Sequence, residues 1–310
     1  MKIVFMGTPD FAVETLNEIV NAGHDVALVV TQPDKPKGRG NKMQFPPVKE
    51  RALELGLSVE QPVKVKDDEF IKKLEEIKPD AIVVVAFGQI LPERILNLPK
   101  YGCFNVHASL LPHLRGAAPI QWSVIDGEKE SGVTIMFMEK GLDTGDMIAK
   151  TIVPLEEKET GGSLHDKLMI AGAKLLVETL PKIEQGDIVR EKQDDSQSTY
   201  AKMLDKKLGK LDFTAQTAEE MERLIRGLNP WPSAYISLDG KTLKIWAADV
   251  IKEELPGEVG TIVKVVKDGF YIKTKEGCLN VKELQLEGKK RMDTKSFLLG
   301  YEVKTGTEIG

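Results

Sequence analysis

Three side chains offer most of the chemistry in this sequence. Asn105 and His107 stand two residues apart in Asn105-Val106-His107-Ala108-Ser109-Leu110-Leu111-Pro112, and Asp143 follows 36 residues after His107 in Gly141-Leu142-Asp143-Thr144-Gly145-Asp146. In an extended segment, residues i and i+2 leave on the same side, so Asn105 and His107 face one way. An amide donates to a developing oxyanion, an imidazole moves a proton, and a carboxylate orients the imidazole. The trio suits movement of an acyl group onto an amine, with no serine or cysteine nucleophile required if the acyl group already sits on a good leaving group. Taken singly, a histidine at a strand end can be a local hydrogen-bonder, and Asp143-Thr144-Gly145-Asp146 can be a capped polar turn. His113 lies beyond Pro112 without a patterned partner, His24 falls in a turn and His165 on a helix. The spacing fits neither an EF-hand nor a zinc set, so no metal is expected.

The elements that must hold these groups follow from the hydrophobic pattern. Residues 1–6 and Ala81–Ala86 are apolar runs of the kind buried on both faces of a parallel sheet. Between them lies a β-α-β opening, with Thr8 placed to cap a helix and Pro9 at its first position. Helices are predicted at 48–56, 67–77, 117–126, 163–185 and 216–227, and strands at 26–31, 57–62, 103–106, 133–138 and 147–153. Phe87-Gly88-Gln89-Ile90-Leu91 follows a strand, where open α/β sheets bind ligands. Asp143 follows the strand 133–138, which can lie beside the strand ending at Val106. Gly7-Thr8-Pro9-Asp10 lacks the glycine patterns of nucleotide loops and is a structural turn. From Tyr235 onward, short alternating runs at 235–238, 242–249, 259–266, 269–274 and 278–284 predict a small β-barrel related to the oligonucleotide-binding barrels. Residues 189–207 are polar and weakly periodic, as a linker would be.

Composition narrows the class. The chain has 310 residues, 41% hydrophobic and 29% charged, with a net charge of −5, so it has no general attraction for a polyanion. Residues 201–310 carry 19 Lys and Arg against 17 Asp and Glu, leaving 24 against 31 for 1–200. Lys35, Lys37, Arg39 and Lys42 put four positive charges within eight residues of that acidic part, a local match to a phosphate backbone. Two distant cysteines argue for a reducing cytoplasm, and no segment reads as a signal peptide or membrane span.

With Arg115-Gly116-Ala117-Ala118-Pro119-Ile120-Gln121, Gly132-Val133-Thr134-Ile135-Met136, Thr31-Gln32-Pro33-Asp34 and Asn229-Pro230-Trp231-Pro232 added, the motifs cover nearly the whole chain. Together they resemble the 10-formyltetrahydrofolate-dependent formyltransferases, and among these the branch whose acceptor is initiator methionyl-tRNA. The resemblance implies an α/β fold: a Rossmann-like formyltransferase domain over 1–188, a linker over 189–207 and a C-terminal OB-like β-barrel domain over 208–310 that grips tRNA. It implies Asn105, His107 and Asp143 as the catalytic trio and 10-formyltetrahydrofolate as co-substrate. Ser109, Leu110, Leu111 and Pro112, the loop Phe87, Gly88, Gln89, Ile90 and Leu91, and Met138 and Leu142 correspond to folate contacts. Arg39, with Lys35, Lys37 and Lys42, corresponds to the loop that approaches the tRNA. A cytoplasmic monomer is expected. The rival readings are a formyltransferase for a sugar nucleotide or other small amine, which shares the trio, and a non-catalytic RNA-binding protein, which would not need it.

Overall fold

In a computed structural model, which describes residues 1–37 and 42–310, the chain forms two units. The first comprises Met1–Pro119, Glu130–Pro154 and His165–Ala201, and the second Ile120–Lys129, Leu155–Leu164 and Lys202–Gly310. The chain thus changes unit five times. The stretch 189–207, expected as a linker, divides at Ala201.

The first unit opens with β1 (Lys2–Gly7), α1 (Val13–Asn21), β2 (Asp25–Val30), the hairpin β3 (Lys35–Lys37) and β4 (Lys42–Gln44), α2 (Pro47–Glu54) and β5 (Val59–Glu60). Next along the chain come α3 (Asp68–Ile77), β6 (Ala81–Val85), α4 (Glu93–Leu96), β7 (Cys103–His107), β8 (Arg115–Gly116), α5 (Pro119–Ile125), which falls in the second unit from Ile120, β9 (Glu130–Phe137), β10 (Met147–Pro154), α6 (Gly161–Gln185), which joins the first unit from His165, and β11 (Tyr200–Ala201). Seven strands form one sheet in the order β10-β9-β7-β6-β1-β2-β5. Ile3 to Met6 and Ala81 to Val85 are buried at its centre, as unbroken apolar runs require. On one face, Phe70, Ile71 and Leu74 of α3 pack with Val4, Met6, Ile82 and Val84.

The β-α-β opening predicts a parallel sheet, and β5, β2, β1, β6 and β7 do run parallel, but β9 is antiparallel to β7, and β10 to β9, so the sheet as a whole is mixed. The strand that precedes Asp143, β9, does lie beside β7, yet its carboxyl end meets the start of β7, with Phe137 opposite Phe104 and Thr134 opposite His107. Thr8 caps no helix. Its hydroxyl donates to Phe87 O at 3.1 Å and accepts from Gln32 N at 3.3 Å, tying together the ends of β1, β2 and β6.

The second unit contains α7 (Ala218–Gly227), β12 (Ala234–Leu238), β13 (Lys241–Ile251), β14 (Ile262–Val266), β15 (Gly269–Lys273), β16 (Cys278–Leu286), β17 (Met292–Asp293) and α8 (Thr294–Gly300). Thr217 and Glu220 form a reciprocal capping box at the start of α7. The antiparallel order is β12-β13-β16-β15-β14, with β17 on β16. Its free edges are joined by the tail 306–310. Gly306 N donates to Ile262 O, Ile262 N to Thr307 O and Ile309 N to Gly260 O on one side, and Ser237 and Gly310 exchange two backbone bonds on the other. The tail closes the sheet round Ile245, Phe270, Ile272, Leu279 and Leu284.

Arg223 Nε donates to Ile125 O at 3.1 Å, Arg226 Nη1 to Glu159 O at 2.7 Å and Gly162 N to Asn229 O at 2.9 Å, so 120–129 and 155–164 belong with this unit. Among the described residues, no helix is long and apolar enough to cross a membrane.

Candidate active site

At the carboxyl end of β7, alternation puts Cys103, Asn105 and His107 on one face, and Phe104 and Val106 on the other. The second face is covered by α6, whose Gly172 lets the helix approach Val106 and Val133 closely. Asn105 is half-buried and its side chain makes no hydrogen bond among the described residues, so its amide is free to donate. His107 is 6% exposed. Its Nε2 lies 3.0 Å from Leu114 O. A carbonyl only accepts, so that nitrogen carries a hydrogen, and Nδ1 is the nitrogen whose protonation can change. Cys103 takes no part as a nucleophile: burial pushes its thiol up to about 12.

Asp143 reaches His107 from the loop 138–146, which must double back because β9 ends at the far end of β7. Asp143 Oδ1 stands 3.8 Å from His107 Nδ1, within ion-pairing distance of a protonated imidazole and about 1 Å beyond a direct hydrogen bond. Its Oδ2 accepts from Gly116 N at 2.8 Å. Asp143 sits at φ 54°, a left-handed conformation that Asp tolerates better than most residues. Gly145 is fixed by space: a Cβ there would lie 1.8 Å from Phe137 O.

The expected folate segments flank this trio. In the turn after β7, Ser109 is buried and its hydroxyl donates to His113 O at 2.6 Å, while Ser109 O accepts from Thr134 Oγ1 at 2.7 Å. Leu111 is buried against Met136 and Met147. Leu110 and Pro112 are half-buried and, with Leu111, His113, Lys150, Ile152 and Gln197, line a shallow groove. Ser109 and Leu111 thus shape the segment from within, and Leu110 and Pro112 present its surface.

The loop after β6 is pinned as firmly. Phe87 O accepts from Thr8 and, at 3.2 Å, from Gln32 Nε2. Gln89 accepts from Val65 N at 3.0 Å and donates to Pro62 O at 3.3 Å. Gly88 adopts φ 84°, Phe87 and Leu91 are buried, and Ile90 is 88% exposed. Met138 packs against the core containing Phe87 and Leu91, and Leu142 is half exposed.

Of the basic group, Lys35 is exposed on β3, and Lys37 pairs with Lys42 across the hairpin; Arg39 lies outside the described residues. The hairpin's base is built from polar groups. Lys49 Nζ contacts both carboxylate oxygens of Asp34, at 2.9 and 2.7 Å, and sits 3.9 Å from the centre of the Phe45 ring. Gln61 Nε2 donates to Asp34 Oδ1 and Gln32 O. These bonds hold the Asp34 carboxyl below its usual 3.8.

Sequence reasoning missed Thr8 and Gln32 as supports of the 87–91 loop, and Arg115, Gly116, Arg190 and Gln193 around Asp143. Arg115-Gly116 stood in a quoted motif; nothing in the polar stretch 189–201 singled out Gln193.

An open α/β sheet bearing an amide, an imidazole and a carboxylate at its ligand edge is the framework of an acyl-transfer enzyme. A formyl transferase family model matches residues 1–180, and a formyl transferase C-terminal domain model matches 203–302. The chain belongs to the formyltransferase family. Across 315 aligned residues it is 58% identical to a methionyl-tRNA formyltransferase of Lachnospira eligens, covering 100% of both chains. It is 51% identical to one of Bacillus subtilis, covering 100% of this chain and 98% of that one. Among solved structures, WlaRD, a sugar 3N-formyl transferase determined with dTDP and 5-N-formyl-THF, matches with a TM-score of 0.68 at 20% identity over 94% of this chain and 99% of that one. HypX of Aquifex aeolicus in complex with tetrahydrofolic acid matches with a TM-score of 0.65 at 18% identity, over 97% of this chain and 47% of that one. Both share the fold.

Proposed function

We propose that this protein transfers the formyl group of 10-formyltetrahydrofolate to the α-amino group of methionine carried by initiator tRNA, in the cytoplasm. The observation that carries this reading is full-length identity of 58% to a protein named methionyl-tRNA formyltransferase, spanning the second unit as well as the first. The site's chemistry supports it. The methionine amine attacks the formyl carbon, and the oxyanion that forms accepts from the free Asn105 amide. His107 Nδ1 takes the proton from the incoming nitrogen and passes it to the folate nitrogen as the carbon–nitrogen bond breaks, releasing tetrahydrofolate. Asp143 faces His107 Nδ1 and orients the ring. The exposed Ile90 and Leu142 and the backbone of 87–91 flank the flat pterin, and Leu110 and Pro112 carry the part of the folate beyond it. Arg39 with Lys35, Lys37 and Lys42 meets the tRNA backbone. No step draws on a metal ion.

The first experiment is formyl transfer from 10-formyltetrahydrofolate to methionine-charged initiator tRNA, with the His107→Ala protein alongside. Transfer by the wild type and its loss in the variant are expected. Turnover of the folate with a sugar nucleotide, another small amine or water, but not with this tRNA, would overturn the acceptor assignment.

A further inference from the structure

Residues 190–201 form a strap under the loop that carries Asp143. Glu191 exchanges two backbone bonds with Met147, at 2.8 and 2.9 Å. Arg190 joins both ends of the loop, with Nε on Asp146 Oδ2 at 2.9 Å and Nη2 on Glu139 Oε1 at 3.0 Å, and lies over the Phe137 ring. Gln193, buried at 5% exposure, uses all its polar atoms. Its Nε2 donates to Asp143 O at 2.8 Å and Gly145 O at 2.7 Å, and its Oε1 accepts from Arg115 Nε at 2.9 Å. Arg115, itself buried, is held by Asp195 Oδ1 at 2.8 Å, and β8 pairs with β11.

We propose that Gln193, fixed by Arg115, is the positioning residue for Asp143. The two residues of β8 hold the acid from two sides: Gly116 N binds its carboxylate, and Arg115, through Gln193, binds its backbone. Only an amide supplies two donors to the carbonyls and one acceptor to the guanidinium. Glutamate would set an acceptor against two carbonyls, and leucine would take this partner from two carbonyls and the Arg115 Nε, two of these contacts being buried. Without Gln193 the backbone of the doubled-back loop is tied only near its ends, and a shift of about 1 Å at Asp143 is enough to cost about 10²-fold in rate. The inference rests on the catalytic reading of Asp143 given above.

The test compares Gln193→Leu, Asp143→Ala and the double variant in the formyl-transfer assay, with hydrogen exchange of the peptide spanning 139–146 measured on the free proteins. Expected are a kcat about 10²-fold lower for Gln193→Leu, a KM for the folate within about twofold of wild type, and a double variant no slower than Asp143→Ala, since two groups acting as one unit are not additive. Exchange in 139–146 should rise in Gln193→Leu. Wild-type kcat in the folded variant, or losses that add in the double variant, would overturn the proposal. If Gln193→Leu does not fold, Gln193→Asn, which keeps the amide but shortens its reach, is read in the same way. A wild-type protein that transfers no formyl group would sink the proposed function, while unchanged exchange at 139–146 would sink the strap, so the two failures are distinct.

Discussion

Two members of the trio have hydrogen-bond partners, and the third has an open side chain. The Asn105 side chain makes no hydrogen bond among the described residues, which leaves its amide open; His107 commits Nε2 to Leu114 O; Asp143 commits Oδ2 to Gly116 N and turns Oδ1 to the imidazole. Loss of one oxyanion donor typically costs roughly 10²–10³ in rate. Asn105→Ala should therefore lower kcat by about that factor while thermal unfolding stays close to wild type, because no bond within the protein is lost. A fall in melting temperature as large as that of a core deletion would point to a structural asparagine instead. The shared face of Asn105 and His107 was legible in the sequence because their i, i+2 spacing is written there, and Asp143 was singled out by the motif around it and by the strand it follows. Their supports were not, because Gln193 lies 50 residues from Asp143 and only the folded chain joins them.

The decisive element is the loop 138–146. The sequence predicted strand 133–138 and its neighbour, but hydrophobic pattern carries no strand direction, so the antiparallel course of β9 and the doubling-back of the loop were invisible. That course depends on Gly145. Gly145→Ala places a methyl group against Phe137 O, and the loop must move with Asp143. Steady-state kinetics should show kcat reduced by at least about tenfold, with folate KM nearly unchanged; kcat at the wild-type level would show that the loop yields without moving the acid. The hairpin base answers to pH. Lys49 and Gln61 depress the Asp34 carboxyl, so the folded state gains stability from Asp34 above its ordinary value of 3.8 and loses it as pH falls through the lower, folded value. Denaturant titrations of Asp34→Asn against wild type should show a stability gap that is full at neutral pH and narrows below pH 3.8. A gap independent of pH would mean that the interaction does not depend on the carboxylate charge. In the second unit the runs read from alternation at 235–238, 242–249, 269–274 and 278–284 fall within two residues of β12, β13, β15 and β16. The run at 259–266 begins three residues before β14, whose buried positions do not alternate, and β17 was too short to read.

At the scale of the whole molecule, what the alternation did not reveal is the closure of that second sheet by 306–310, since a five-residue tail has no period to read. Five backbone bonds and the buried Ile309 hang on this tail. At about 1 kcal/mol net for each bond, deleting 306–310 should lower the stability of the second unit by several kcal/mol. Calorimetry would show a depressed transition; an unchanged one would mean that β12 and β14 hold without the tail. The interleaved course of the chain has a further consequence for recombination. The segments 120–129 and 155–164 make their bonds within the second unit although they are encoded among the first unit's strands. A chimera that trades everything after Ala201 with a sugar-formylating relative would carry two orphaned segments from the old parent. A faithful exchange of this unit therefore needs three inserts in the gene, so the unit is not inherited as one removable cassette.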